Sequence, residues 1–221
     1  MANWQRRIIM SEEIIWTKEY KVERFKKLNE SVKKGQVLFA GSSLMEMFPV
    51  EKFVEEDKLD VTVYNRGVGG FVTEELIKNI DTLILDLAPR KLFINIGTND
   101  LSIAERPIEK VMENYEYILR ETLKVVPDVK MYLMAYYPVN YDAAAEDMKA
   151  CLKVRSNEKI KEANEQVKKL ADKLGAKYID VNDPLKDEQG RLKAEYTFEG
   201  MHINEEGYRS IYPLVKMYIL E

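Results

Sequence analysis

The sequence holds one cysteine, Cys151, and one histidine, His202. A single cysteine excludes an intrachain disulfide, and nothing around Cys151 has the spacing of a metal knuckle or a redox motif. Long apolar runs are missing as well. None reaches the length needed to span a bilayer, and Met1-Ala2-Asn3-Trp4-Gln5-Arg6-Arg7-Ile8-Ile9-Met10 passes into Ser11-Glu12-Glu13 without an apolar signal-peptide core. Neither sign of charge dominates: 34 Lys and Arg residues are interspersed with 38 Asp and Glu residues, for a net charge of −4. That balance offers no basic footprint for nucleic acid or for an anionic membrane. These absences predict a protein of a reducing cytoplasm, with no nucleic-acid partner and no stable membrane association.

What is present is an alternation of short apolar runs and longer charged, helix-like stretches. At 221 residues, 46% of them apolar, the chain is long enough for one large core and short for two, so one domain is expected over 1–221. Runs at 36–40, 61–64, 91–96, 129–134 and 177–181 read as buried strands. Helical patterns lie between them near 43–54, 73–87, 106–126 and 145–174, and another follows at 204–219. Strands separated by helices imply right-handed crossovers and a parallel sheet covered on both faces, an α/β fold. An extra N-terminal helix is expected at about 11–34, opened by Ser11 with Glu12 and Glu13 in its first turn.

In such a sheet, ligands bind beyond the carboxyl ends of the strands, and three of those ends are unusual. The first strand leads into Gly41-Ser42-Ser43-Leu44. Either serine could simply cap the following helix, the commonest use of serine there, or a hydroxyl could serve as a nucleophile if a base reaches it. Phosphate cradling is disfavoured, because the segment lacks the lysine and glycine spacing of a P-loop. The second strand leads into Asn65-Arg66-Gly67-Val68-Gly69-Gly70-Phe71, where a glycine serves a turn or leaves a backbone N–H bare for an oxyanion. The third leads into Gly97-Thr98-Asn99-Asp100: the Asn99 amide could donate a further hydrogen bond, and Asp100 could cap the following turn. His202 sits late, in Phe198-Glu199-Gly200-Met201-His202, with a carboxylate three residues before it. Imidazole is the side chain best suited to exchange a proton near neutral pH, so general-base chemistry in this chain would pass through His202.

In chain order these segments resemble the four blocks of the GDSL, or SGNH, hydrolases, serine esterases and lipases built on a flavodoxin-like three-layer α/β/α sandwich. The resemblance covers 36–221 and implies a five-stranded parallel sheet with helices on both faces. It places the nucleophile at Ser43, the oxyanion donors at Gly70 and Asn99, and the base at His202. Two positions depart from the family pattern: Ser42 stands where aspartate is usual, and Glu199 replaces the usual aspartate of the last block. The extra methylene leaves Glu199 as either the third member of a triad or a neighbour of a Ser43–His202 dyad. The implied chemistry is acyl transfer through an acyl-enzyme, needing no metal or organic cofactor.

Leu44, Phe71, Tyr136, Tyr137, Phe198 and Met201 fall beside the expected site as candidate walls of a substrate pocket, although aromatics near strand ends are as often core packing. The stretch 138–156 could be a lid or the entrance to a helix. The resulting expectation is an esterase acting on short acyl groups, such as acetyl esters of small molecules or sugars. A lysophospholipase or acyl thioesterase is the enzymatic alternative, and a non-catalytic ligand-binding relative is the alternative of another class.

Overall fold

Every side chain of Val37-Leu38-Phe39-Ala40-Gly41 is buried, but the alternation of a strand sends consecutive residues to opposite faces. Leu38 and Ala40 enter one apolar cluster, while Val37 and Phe39 enter a second. This run is β1 of a five-stranded sheet that the computed structural model, which describes residues 17–221, shows in the order β2-β1-β3-β4-β5. The other strands are β2 (Val63–Gly67), β3 (Lys91–Asn95), β4 (Lys130–Met134) and β5 (Lys177–Ile179), and every neighbouring pair is parallel. The register aligns Phe39 with Phe93 and Phe93 with Tyr132. Their rings stack across three strands at centroid separations of 4.6 and 4.5 Å.

The helices are α1 (Lys18–Asn29), α2 (Ser43–Glu46), α3 (Val50–Glu56), α4 (Thr73–Lys78), α5 (Ile80–Leu83), α6 (Ile108–Val125), α7 (Lys149–Val154), α8 (Asn157–Leu174) and α9 (Glu205–Leu220). Residues of α4, α5, α6, α7 and α8 pack in the Leu38 cluster, and residues of α2, α3 and α9 pack in the Phe39 cluster. The result is the expected three-layer α/β/α sandwich. Its strand order is that of flavodoxin-like sheets, with the topological switch between β1 and β3.

Several boundaries differ from the sequence reading. The second strand runs on through Asn65-Arg66-Gly67, because these residues continue the pairing with Phe39, Ala40 and Gly41 of β1. The helix expected over 43–54 breaks at Pro49, which has no N–H to continue it. The one expected over 73–87 breaks at Asn79, and the one over 145–174 breaks at Arg155-Ser156, where the Ser156 hydroxyl caps α8 by accepting from the Lys159 N–H. Ser11, Glu12 and Glu13 lie outside the described residues. Within them, α1 is capped by Thr17 and ends at Asn29, short of 34. The Asn29 side chain is held by Thr82 and by the buried Arg66. Among the described residues, no helix is long and apolar enough to cross a membrane.

Candidate active site

At the carboxyl end of β1, Gly41 adopts φ +153°, and a Cβ there would sit 2.1 Å from the Asn95 carbonyl oxygen. Only glycine lets the chain turn this closely against β3. The turn delivers Ser42 to the buried side and Ser43 to a half-buried position at the start of α2. Ser42 occupies the cap position of α2, but its hydroxyl caps nothing: Oγ is buried and has no hydrogen-bond partner among the described residues. Ser43 Oγ lies 3.0 Å from Nε2 of His202, a residue 159 positions away.

His202 is presented by a turn closed by the side chain of Thr197. Thr197 Oγ1 accepts from the Gly200 N–H at 2.9 Å and donates to the His202 carbonyl at 2.8 Å. Gly200 takes φ +88°, and a Cβ on it would meet the Asn140 carbonyl oxygen at 2.4 Å. The tight turn brings Glu199 back over His202: Oε1 lies 2.5 Å from Nδ1 and accepts from the His202 backbone N–H at 3.1 Å. Ser43, His202 and Glu199 therefore form a continuous hydrogen-bonded chain. The geometry suits proton transfer from the hydroxyl to Nε2, with the carboxylate holding the opposite ring nitrogen.

The two expected oxyanion donors occupy loops that are tied together. Asn99 Nδ2 donates to the Phe71 carbonyl at 2.9 Å, linking the β3 loop to the residue after Gly70. The Gly69 N–H donates to Glu46, which pairs with Lys21 of α1 at 2.6 Å, so the β2 loop is also anchored to α2. The Gly70 N–H has no acceptor among the described residues. Asp100 stands apart from this group. It is fully buried and accepts from the Thr73 N–H, the Thr73 hydroxyl and Arg106, so it caps α4 instead of its own turn. Burial pushes its carboxyl upward, against the opposing pull of the Thr73 and Arg106 hydrogen bonds.

Most of the expected pocket walls are core residues. Leu44, Phe71, Tyr136, Tyr137 and Met201 are each at most 5% exposed. The Tyr136 hydroxyl is spent on the Ile96 carbonyl at 2.7 Å, and Leu44 and Tyr137 pack in the cluster beneath α9. Phe198, at 66% exposure, is the one of the six that faces solvent. Two hollows of about 350 and 630 Å³ occur among the described residues, the first between α1 and α4 and lined in part by Phe71, the second beside α8 and β5 and lined in part by Tyr136. Neither includes Ser43 or His202. The stretch 138–156 is pinned at its start: Asn140 donates from its backbone to the Gly200 carbonyl and from its side chain to Leu192, and Val139 exchanges two bonds with Asn157. It supports the histidine turn from below.

One residue of this region was invisible to motif reading. Arg155 is 3% exposed, and its guanidinium donates to Asn99 Oδ1 at 2.8 Å, Ser102 Oγ at 2.8 Å and Met201 Sδ at 3.0 Å. Burial lowers it to about 10, so it is still charged at neutral pH. It lies in no block, and no spacing signal marks it.

A flavodoxin-like parallel sheet with a serine, a histidine and a carboxylate aligned at its carboxyl edge is the architecture of a hydrolase on an α/β fold. The chain belongs to the GDSL-like lipase/acylhydrolase family, whose sequence model matches residues 50–210. The matched span contains Gly70, Asn99, Glu199 and His202 and begins just after Ser43. The chain is also similar to a Streptococcus pneumonia protein of solved structure, named as a candidate platelet activating factor. The identity is 30%, with a TM-score of 0.82, covering 99% of this chain and 100% of that one. An acetylxylan esterase from Geobacillus stearothermophilus shares the fold at 15% identity and a TM-score of 0.65, covering 85% of this chain and 95% of that one. An N-acylneuraminate cytidylyltransferase of Escherichia coli is 27% identical over 186 residues, which is 82% of this chain but 40% of the cytidylyltransferase. The chain thus spans about two fifths of that relative's length.

Proposed function

We propose that the protein hydrolyses carboxylic esters through an acyl-enzyme on Ser43. The observation that carries this reading is the unbroken line from Ser43 Oγ through both ring nitrogens of His202 to Glu199. His202 Nε2 takes the hydroxyl proton as Ser43 Oγ attacks the ester carbonyl, and Glu199 holds the Nδ1–H and stabilises the imidazolium that forms. The oxyanion is met by the free Nδ2–H of Asn99, the Gly70 N–H and the Ser43 N–H, donors already in place before charge develops. His202 returns the proton to the leaving alcohol, and water then repeats the sequence on the acyl-enzyme. No step in this cycle calls for a metal or an organic cofactor.

The acyl group is proposed to be short, such as the acetyl of a small-molecule or sugar ester. Five of the six candidate wall residues are buried, and the two hollows, although they touch Phe71 and Tyr136, do not include Ser43 or His202. A long acyl chain would therefore find little apolar surface to bury beside Ser43. The reducing cytoplasm stays part of the proposal, supported by the single unpaired Cys151.

The test is fluorophosphonate labelling followed by a chain-length series of p-nitrophenyl esters beside acetylated sugars. Labelling at Ser43 with the highest kcat/KM at acetyl supports the reading. A rise in kcat/KM with chain length would assign a lysophospholipase or thioesterase instead. A folded protein that neither labels nor turns over would be a non-catalytic binder.

A further inference from the structure

Arg155 is a buried cation with no carboxylate in direct contact. Among the described residues no carboxylate forms an ion pair with it: the buried Asp100 acts on it only through space and is itself paired with Arg106. All three of its partners are neutral: Asn99 Oδ1, Ser102 Oγ and Met201 Sδ. A desolvated guanidinium with no ion-pair partner is costly, and a side chain whose only task was to brace three neutral groups would not need to carry charge. The negative charge that would complement it arises on the other side of the Asn99 amide.

We propose that Arg155 is a positioning residue for ester hydrolysis, holding the Asn99 amide with its N–H toward the developing oxyanion and supplying positive charge behind it. This inference rests on the hydrolase reading of Ser43. The amide has two orientations related by a half-turn, and only one of them offers donors to the crevice. With Oδ1 bound to Arg155 at 2.8 Å and one Nδ2–H bound to the Phe71 carbonyl at 2.9 Å, the orientation is settled and the second Nδ2–H is left over. A cation on the carbonyl side polarises the amide and strengthens its N–H as a donor. Because Arg155 is itself buried, its charge is little screened and acts on the transition state, where the oxyanion is charged, far more than on the neutral ester.

The experiment is a double-mutant cycle between Arg155→Met and Asn99→Ala, with p-nitrophenyl acetate as substrate and circular dichroism as the check on folding. Arg155→Met should lower kcat roughly 10–10²-fold while KM moves by less than about threefold. In the Asn99→Ala background the same substitution should cost less than about threefold more, because its target is already gone. Arg155→Lys, which keeps the charge without the fork, should fall between parent and Arg155→Met, and it carries the cycle if Arg155→Met does not fold. An unchanged kcat, or a full multiplicative loss in the Asn99→Ala background, overturns the inference. The unsubstituted protein is labelled with fluorophosphonate in parallel. If it neither labels nor turns over, the hydrolase reading falls, whereas a labelled, active protein indifferent to Arg155 overturns this inference alone.

Discussion

Glu199 grips His202 twice with one oxygen: Oε1 lies 2.5 Å from the ring Nδ1 and 3.1 Å from the backbone nitrogen of the same residue. The side chain is one methylene longer than the aspartate usual in this family, and the turn absorbs that length. Gly200 at φ +88° folds the backbone so that Glu199 curls over the ring from three residues upstream. A carboxylate bound to two N–H groups of one residue fixes both the ring's position and its tautomer.

Neutralising that carboxylate is expected to be costly. Glu199→Gln should lower kcat by roughly 10²–10⁴-fold, the upper end being the loss seen when a tightly coupled triad carboxylate is neutralised. Glu199→Asp keeps the charge but cannot reach both N–H groups at once, and should retain part of the activity. Steady-state kinetics on a p-nitrophenyl ester decides the matter: a Glu199→Gln enzyme equal to the parent would leave a Ser43–His202 dyad.

Gly200→Ala should damage the same turn through the backbone. A methyl group would strike the Asn140 carbonyl oxygen and Ala144 while forcing an L residue to positive φ. The expected outcome is a fall in kcat together with a loss of roughly 1–3 kcal/mol of stability, read by denaturant unfolding. Full activity with unchanged stability would show that the turn is looser than its hydrogen bonds imply.

The two neighbouring serines should behave in opposite ways. Ser43→Ala removes the hydroxyl bonded to His202 and should abolish turnover with little change in stability. Ser42→Ala removes a buried hydroxyl that has no partner, so the protein should stay active and be as stable as the parent or more so, by up to about 1 kcal/mol. Equal inactivation of both variants would mean that the nucleophile has been misplaced.

Asn99 and Asp100 should separate catalysis from folding in the same fashion. Asn99→Ala should lower kcat by roughly 10²–10³-fold, the usual effect of losing one oxyanion donor. Asp100→Ala strips the Thr73 N–H of its acceptor and leaves the Thr73 hydroxyl and Arg106 only Glu74, and should cost roughly 3 kcal/mol of stability. A change in KM alone for Asn99→Ala would place that amide on the ground-state substrate instead.

The strands were legible from the sequence because a strand buried on both faces is predominantly apolar, a local property that 37–40 and 92–94 display plainly. The second strand was legible only in part. Its carboxyl half, Asn65-Arg66-Gly67, is polar and small and reads as a loop, yet the pairing with β1 continues through it and its side chains find hydrogen-bond partners in α1 and α2. Leu44, Phe71, Tyr136, Tyr137 and Met201 had the right residue type and the right place in the chain for a pocket. Which way such a side chain points depends on the helix packed against it, and there the packing buried all five, with Phe71 and Tyr136 each bordering a hollow that does not include Ser43.

The order of the blocks at the strand ends, and with it the family, was determined by the sequence alone, since each block is a run of a few residues whose backbone needs are met locally. The tertiary structure decided three further relationships. It brought Ser43 within 3.0 Å of a histidine 159 residues away, it curled Glu199 onto the ring of that histidine, and it set Arg155 against Asn99 across 56 positions of chain. Two of these contacts are distant in sequence. The third turns on a glycine conformation that is stable only because Asn140 and Thr197 hold it. Local propensity carries no information about such contacts, because the free energy that enforces them comes from packing the whole sheet and its two helical layers.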